Sequence, residues 1–274
     1  MGPSPHPVPS RRLALGLIDR ARLTLGIARS LKTYYGDRDR RSAMSRLYAR
    51  FLQRGDLAFD VGAHVGDRTA CFLALGCRVV AVEPQPALAR LLRWRYGRHV
   101  AVVHAAVGSA TGELALNVNL DNPTVATCSG GFVAAARRSP RWMDERWTRR
   151  ITVPLTTLDG LIAIYGEPAF IKIDVEGFEA EVLAGLGVAV RALSFEFTTL
   201  QRDVARRALD RCVALGRYRF NAAIGESQRF VFDAWCPADD IARWIAGLPD
   251  DVNSGDVYAA LAPPDTTANA PPLN

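Results

Sequence analysis

The chain has no Cys-x-x-Cys pair, and its five cysteines, Cys71, Cys77, Cys128, Cys212 and Cys236, are scattered and odd in number. That pattern excludes a disulfide framework and argues against a zinc site, leaving reduced thiols in a core or on helix faces, as expected of a cytoplasmic protein. No apolar run is long enough to cross a bilayer. The first candidate is interrupted by Asp19, Arg20 and Arg22, whereas a spanning helix needs about 20 predominantly apolar residues. The same run is too short for a secretory signal, and no small-residue cleavage pattern follows it. There is no internal repeat. A G-x-G-x-x-G turn, which would bring backbone against a pyrophosphate, is also missing, so a nicotinamide dinucleotide fits poorly.

What is present is a chain able to build a core: 274 residues, 49% of them hydrophobic, exclude a disordered protein. The net charge of +6 and a pI near 9.3 invite a nucleic-acid reading without requiring one. Arg137, Arg138, Arg141, Arg146, Arg149 and Arg150 cluster with Trp142 and Trp147 interleaved. Such a cluster can bind phosphates, stack on sugars or coat a helix. No nucleic-acid module accompanies it, and Asp121-Asn122-Pro123-Thr124 lacks the second proline and the aromatic of the amino-methylating DNA enzymes. Nucleic acid is therefore not the expected partner.

Two segments carry chemistry. Leu57 to Thr69 reads as a strand, a turn punctuated by Gly62 and Gly66, and the start of a helix, and Arg78 to Pro84 supplies a β-branched strand ending in Glu83 about twenty residues beyond the turn. Glycines let a ligand approach the backbone, a helix N-terminus offers free N–H groups, and a later acid accepts hydrogen bonds from ribose hydroxyls. In the second segment, Ile171 to Glu179, a β-rich run ends in Asp174, Glu176 and Gly177 before a helix. In an open parallel sheet, ligands bind outside the carboxyl ends of the strands. The plain alternative is an acidic surface turn.

Asp60-x-Gly62-x-x-x-Gly66 followed by Val82-Glu83-Pro84 resembles the S-adenosylmethionine site of class I methyltransferases. With the rest of the chain, the resemblance is to the FkbM methyltransferases. It rests on Phe59 to Thr69, Ala81 to Pro84, His104-Ala105-Ala106-Val107-Gly108, Thr157-Leu158-Asp159, and, most specifically, Lys172-Ile173-Asp174-Val175-Glu176-Gly177-x-Glu179-x-x-Val182-Leu183. These segments span about residues 55 to 200 in the family's order. His64 stands where the family usually carries asparagine.

The resemblance implies an α/β fold of the class I, Rossmann-like type: a doubly wound, mostly parallel sheet with an N-terminal helical extension. It implies S-adenosylmethionine as cofactor and transfer to a hydroxyl of a sugar, glycan, glycolipid or secondary metabolite. The donor-binding residues would be Asp60, Gly62, Ala63, His64, Gly66, Glu83, Pro84, Ala105 and Ala106. Gly62 and Gly66 would shape the turn beneath the methionine moiety, with Asp60 fixing that turn or reaching the donor's amino group. Glu83 would clamp the ribose, and Ala105 and Ala106 would leave a slot for adenine or simply pack. Asp174 is the first candidate for general base or for orienting the acceptor, and Glu176 is the second, with holding the turn through backbone N–H groups as its alternative role. Lys172 and Glu196 alternate with apolar neighbours and read as satisfied buried charges. His64 reads as a hydrogen-bonding spacer or a group titrating near neutrality. Asp174 and Glu176 are open to a divalent metal, but hard cations need several oxygen ligands and the sequence offers no third, so the metal is left unsupported.

The expected layout is a disordered tail at 1–10, a basic amphipathic extension at 11–52, the methyltransferase domain at 53–262 and a flexible tail at 263–274. In the extension, Ala14, Leu17, Ile18, Ala21, Leu25, Ala28 and Leu31 share one helical face. That face is expected to pack on the domain, with an anionic membrane surface as the other contact open to residues 11–31. The partner is a small-molecule or glycan acceptor. The rival to an enzyme is a non-catalytic nucleoside-binding module that docks to a membrane or a glycan-assembly partner. Strands are expected at 57–61, 78–83, 100–106, 113–119, 151–154, 169–174 and 191–197, with helices between them, a late hairpin of 218–221 with 229–232, a helix at 238–246 and a last strand at 256–261. Trp142, Trp147, Phe230, Phe232 and Trp235 are candidate stacking platforms.

Overall fold

A computed structural model describes residues 16–262; the expected tails at 1–10 and 263–274, and Ala14, lie outside the described residues. The order is α1 (Leu17–Gly36), α2 (Arg38–Tyr48), β1 (Leu57–Val61), α3 (Asp67–Ala74), β2 (Arg78–Val82), α4 (Pro86–Tyr96), β3 (Val100–Val103), β4 (Ala106–Val107), β5 (Gly112–Val118) and α5 (Gly130–Ala136). There follow β6 (Arg149–Thr156), α6 (Leu158–Tyr165), β7 (Phe170–Ile173), α7 (Glu179–Ala184), β8 (Ala192–Thr198), α8 (Arg202–Leu215), β9 (Arg219–Ile224), α9 (Ala238–Gly247) and β10 (Ser254–Ala260).

Seven strands form one sheet in the order β3-β2-β1-β7-β8-β10-β9. Its first five strands are mutually parallel, and β10 runs antiparallel to both neighbours. Alternation assigns the two faces. Phe59, Val61, Ile171, Ile173, Leu193 and Phe195 enter one core, while Ala58, Phe170 and Tyr258 enter the other, beneath α2 and α3. After β1 the chain winds outward to β3, then returns to place β7 on the other side of β1. That reversal opens a crevice at the carboxyl ends of β1 and β7. A small second sheet, β4-β6-β5, covers one side of it.

Two expectations are corrected. Residues 229–232 form no strand: they lie along the edge of β9 away from β10, where the chain makes only an isolated bridge, Phe220–Cys236, instead of a ladder. Residues 229–232 are tied to β9 through Asn221, whose side chain donates to Phe232 O at 2.9 Å and accepts from Phe232 N at 3.2 Å, and through Val231 N donating to Ala222 O. The arm does pack on the domain, but through its other face. Leu17, Ile18 and Leu25 are 85%, 78% and 66% exposed, with Ala21 and Ala28 beside them, whereas Gly26 and Ser30 are buried. Gly26 decides this, since a Cβ there would lie 2.9 Å from the carbonyl oxygens of Leu120 and Asp121. Ion pairs Arg22–Asp121 and Asp19–Arg149 flank the contact. Among the described residues no helix is long and apolar enough to cross a membrane.

Candidate active site

Two adjoining cavities occupy the crevice. The first, of about 500 Å³, is lined by Gly62, His64, Glu83, Pro84, Ala105, Ala106 and Asp174, together with Val175 and Phe178. It thus gathers six of the nine expected donor-binding residues. The second, of about 530 Å³, is more polar, and its walls include Asp60, Ala63, Arg68, Lys172, Glu176 and Glu196. Gly62, His64, Thr124 and Asp174 line both. Gly66 lines neither; it packs against Leu92 and Tyr96, and its carbonyl accepts from the Tyr96 hydroxyl at 2.6 Å. In this structure Gly66 supports the turn from behind, away from the cavity walls.

Backbone geometry explains the turn. Gly62 has φ +82, and a Cβ on it would fall 1.8 Å from Asp174 O, so only glycine lets β1 and β7 close the crevice floor. His64 has φ +48, in the left-handed region that asparagine and histidine tolerate better than most residues. The departure from the family's asparagine therefore preserves the bend. Burial pushes the imidazole down to about 4, so it is neutral at pH 7 and does not titrate near neutrality. Its Nε2 is buried without a hydrogen-bond partner, and the ring meets Tyr34 edge-on at 5.6 Å.

Glu83 is 2% exposed. Its two carboxylate oxygens each accept one backbone N–H, from His64 and Gln85, both at 2.8 Å. Burial raises its pKa to about 7 against those hydrogen bonds. A carboxylate has room for further donors on both oxygens, and these sites are available toward the cavity Glu83 lines. Asp60 faces the second cavity; its Oδ2 accepts from the Thr69 hydroxyl at 2.5 Å, and burial raises its pKa to about 6. It fixes the turn to α3.

The polar cavity follows from strand register. Asp60, Lys172 and Ser194 are paired across β1, β7 and β8, and two residues further on the same side-chain face come Asp174 and Glu196. Lys172 is satisfied as expected, with Nζ 2.6 Å from Asp256 and 3.3 Å from Asp174. Glu196 is not. Its Oε2 is buried with no partner, and its pKa is raised well above the usual range by burial and then by Asp174. Glu176, with φ +55, is raised likewise. The turn-holding role open to Glu176 belongs instead to Glu179, whose Oε1 accepts the N–H groups of Val175 and Gly177 at 3.2 and 3.1 Å.

Sequence reasoning missed the arm's share in this site. Tyr34, at the end of α1, closes the polar cavity, and Arg40 of α2 pairs with Asp67 and Glu226 at 3.0 and 2.8 Å. Nothing in the sequence joins Tyr34 to a turn thirty residues later. The proposed aromatic platforms lie elsewhere: Trp142 and Trp147 both pack edge-on against Phe132, Phe230 packs against Trp235, and Phe232 packs against Trp244. None of them lines either cavity.

A model described as the methyltransferase FkbM domain matches residues 60–244. The chain belongs to that family. Membership makes this FkbM protein an S-adenosylmethionine-dependent methyltransferase, and the small alanines, glycine turn and buried Glu83 of the first cavity suit a nucleoside donor. No curated protein matches the chain. Among solved structures it is similar to an O-methyltransferase from Bacillus cereus in complex with SAH (12% identity, TM-score 0.42, covering 91% of this chain and 93% of that one). It is also similar to a precorrin-6y C5,15-methyltransferase from Geobacter metallireducens (14%, 0.40, 81% and 86%). A third is the Burkholderia thailandensis 1,6-didemethyltoxoflavin-N1-methyltransferase with bound 1,6-didemethyltoxoflavin and S-adenosylhomocysteine (16%, 0.34, 93% and 94%).

Proposed function

We propose that this FkbM protein methylates a hydroxyl of a polar acceptor such as a sugar, glycan, glycolipid or secondary metabolite. The observation that carries the reading is the position of Asp174, which lines both the donor cavity and the polar cavity beside it. In the first cavity Glu83 would accept the ribose hydroxyls, with Ala105 and Ala106, each 5% exposed, leaving room for a flat ring. When bound, the donor supplies a methyl group on a sulfonium sulfur. Asp174 takes the acceptor's hydroxyl proton, or holds the hydroxyl in line, as the oxygen bonds to the methyl carbon. The electron pair of the carbon–sulfur bond would remain on sulfur, so that S-adenosylhomocysteine would be the second product. The neutral His64 and the arm's Tyr34 help to exclude water, which matters because alignment contributes most of such a displacement.

The carboxylate-rich walls of the second cavity favour a neutral, hydroxylated acceptor over an anionic one such as nucleic acid. The exposed stripe on α1, Leu17, Ile18, Ala21, Leu25 and Ala28, is flanked by Arg29 and Lys32 and is proposed to rest on an anionic membrane surface. The direct experiment is calorimetric titration with S-adenosylmethionine and S-adenosylhomocysteine, followed by a screen of hydroxylated acceptors. Both nucleosides should bind and Glu83→Ala should weaken both; no binding to folded protein would favour the non-catalytic module.

A further inference from the structure

We propose that Asp174, Glu176 and Glu196 form a binding site for one oxygen-seeking divalent cation, such as Mg2+ or Mn2+, on the acceptor side of the donor cavity. The three groups reach one point from the end of β7, the loop after it and β8. One carboxylate oxygen from each lies within 4.8 Å of the others. Oxygens sharing an ion at metal–oxygen distances of roughly 2.1–2.5 Å stand at most about 4–5 Å apart, so the spacing suits a common ligand. The set contains oxygen alone, which selects Mg2+, Mn2+ or Ca2+ over zinc or copper.

The trio is more than an acidic patch, because two of its members lack any partner. Glu176 is only 9% exposed, and no hydrogen bond or ion pair to its carboxylate is found among the described residues. The N–H groups of its own loop, at Val175 and Gly177, go to Glu179 instead. Glu196 Oε2 is buried and bonded to nothing. Both side chains line the polar cavity.

Among the described residues, the one neighbouring cation that reaches the group pairs with Asp174, and neither Glu176 nor Glu196 has an ion pair. Lys172 approaches Asp174 but lies closer to Asp256, and Arg68 is taken up by Asp67 and Glu226. Three carboxylates this close repel one another unless a positive charge or protons sit among them. A six-coordinate ion held by three protein oxygens keeps positions open for water or for acceptor oxygens. The acceptor class this implies carries two adjacent oxygens, one of them the hydroxyl to be methylated. That last step rests on the methyl-transfer reading; the ion site itself does not.

The test uses the full chain, stripped of metal by a chelator and titrated with Mn2+ while free Mn2+ is followed by electron paramagnetic resonance. S-Adenosylhomocysteine binding is measured in parallel. The expected result is one Mn2+ per chain with a dissociation constant below about 1 mM. Glu176→Gln and Glu196→Gln should each weaken it by about tenfold or more, while Glu181→Gln, on α7, leaves it unchanged. Circular dichroism and retained nucleoside binding confirm that the variants are folded. Nucleoside binding without stoichiometric Mn2+ binding overturns the ion site alone, as does Mn2+ binding that survives both substitutions. Mn2+ binding without nucleoside binding leaves the site standing and overturns the methyl-transfer reading. Glu196 separates the two ideas, because only the ion site gives it a role.

Discussion

At Glu83 a single carboxyl group carries opposing demands. Burial favours its protonated form, and two backbone N–H groups favour the charged one, leaving its pKa at about 7. Ribose hydroxyls would donate to the carboxylate, so binding prefers the charged form and should release a proton near neutrality. Donor affinity should therefore be flat above pH 7 and fall as pH drops below it, by up to about tenfold per unit. Calorimetry in buffers of different ionisation enthalpy checks both the slope and the released proton. Glu83→Ala should weaken S-adenosylhomocysteine by about 10- to 100-fold, the value of one or two hydrogen bonds to a charged acceptor. Asp174→Asn keeps the shape and removes the proton acceptor. It should lower kcat by about 10²- to 10⁴-fold with donor affinity nearly intact, and unchanged turnover would eliminate Asp174 as the base. Most of these residues were legible because glycine turns and strand-end acids have fixed mechanical meanings. Glu196 was misjudged because alternation shows which face a side chain occupies but not whether a partner waits there.

At the scale of elements, α1 shows how an apolar stripe can mislead. Its leucines suggested the packed face, yet Gly26 permits a backbone approach that the stripe cannot match, and the stripe is left in solvent. The sequence carried the stripe but not the surface of residues 120–124 that selects the opposite face. If the stripe meets an anionic membrane, replacing Leu17, Ile18 and Leu25 by glutamate should abolish cosedimentation with phosphatidylserine vesicles while leaving the circular dichroism spectrum unchanged, since those side chains touch little else. Retained cosedimentation would remove the stripe from that role. The strands β1, β2 and β7 and helix α9 fall within one or two residues of expectation because each is bounded by a local signal, such as Pro237 just before α9. Helix α8 went unassigned although Val204, Ala205, Ala208, Leu209 and Cys212 mark a buried face at helical spacing. The late hairpin failed for a different reason: residues 229–232 alternate like a strand, but they hold to the free edge of β9 through the Asn221 side chain and a single backbone bond to Ala222, contacts that no local pattern reports.

For the whole molecule, the late strand β10 is tied to the central strand of the sheet through charge. Lys172 of β7 and Asp256 of β10 are 1% and 5% exposed and make a 2.6 Å ion pair across 84 residues of sequence. The Lys172 pKa stands well above its usual value because Asp174 and Asp256 outweigh the cost of its burial. The ammonium is therefore charged throughout the physiological range. Lys172→Met would fill much of the same volume, but it would strand a buried Asp256 carboxylate and remove the cation nearest Asp174. Breaking one side of a buried pair typically costs about 3–5 kcal/mol, whereas replacing both sides can be close to neutral. Urea unfolding should show that loss for Lys172→Met and recovery of most of it in Lys172→Met with Asp256→Leu. If the double variant instead matches the single one, the pair's contribution lies in packing rather than charge. Recovery of stability without recovery of turnover would assign the buried lysine to Asp174 and the site, not to the fold, because only the site needs a positive charge at that point of the crevice.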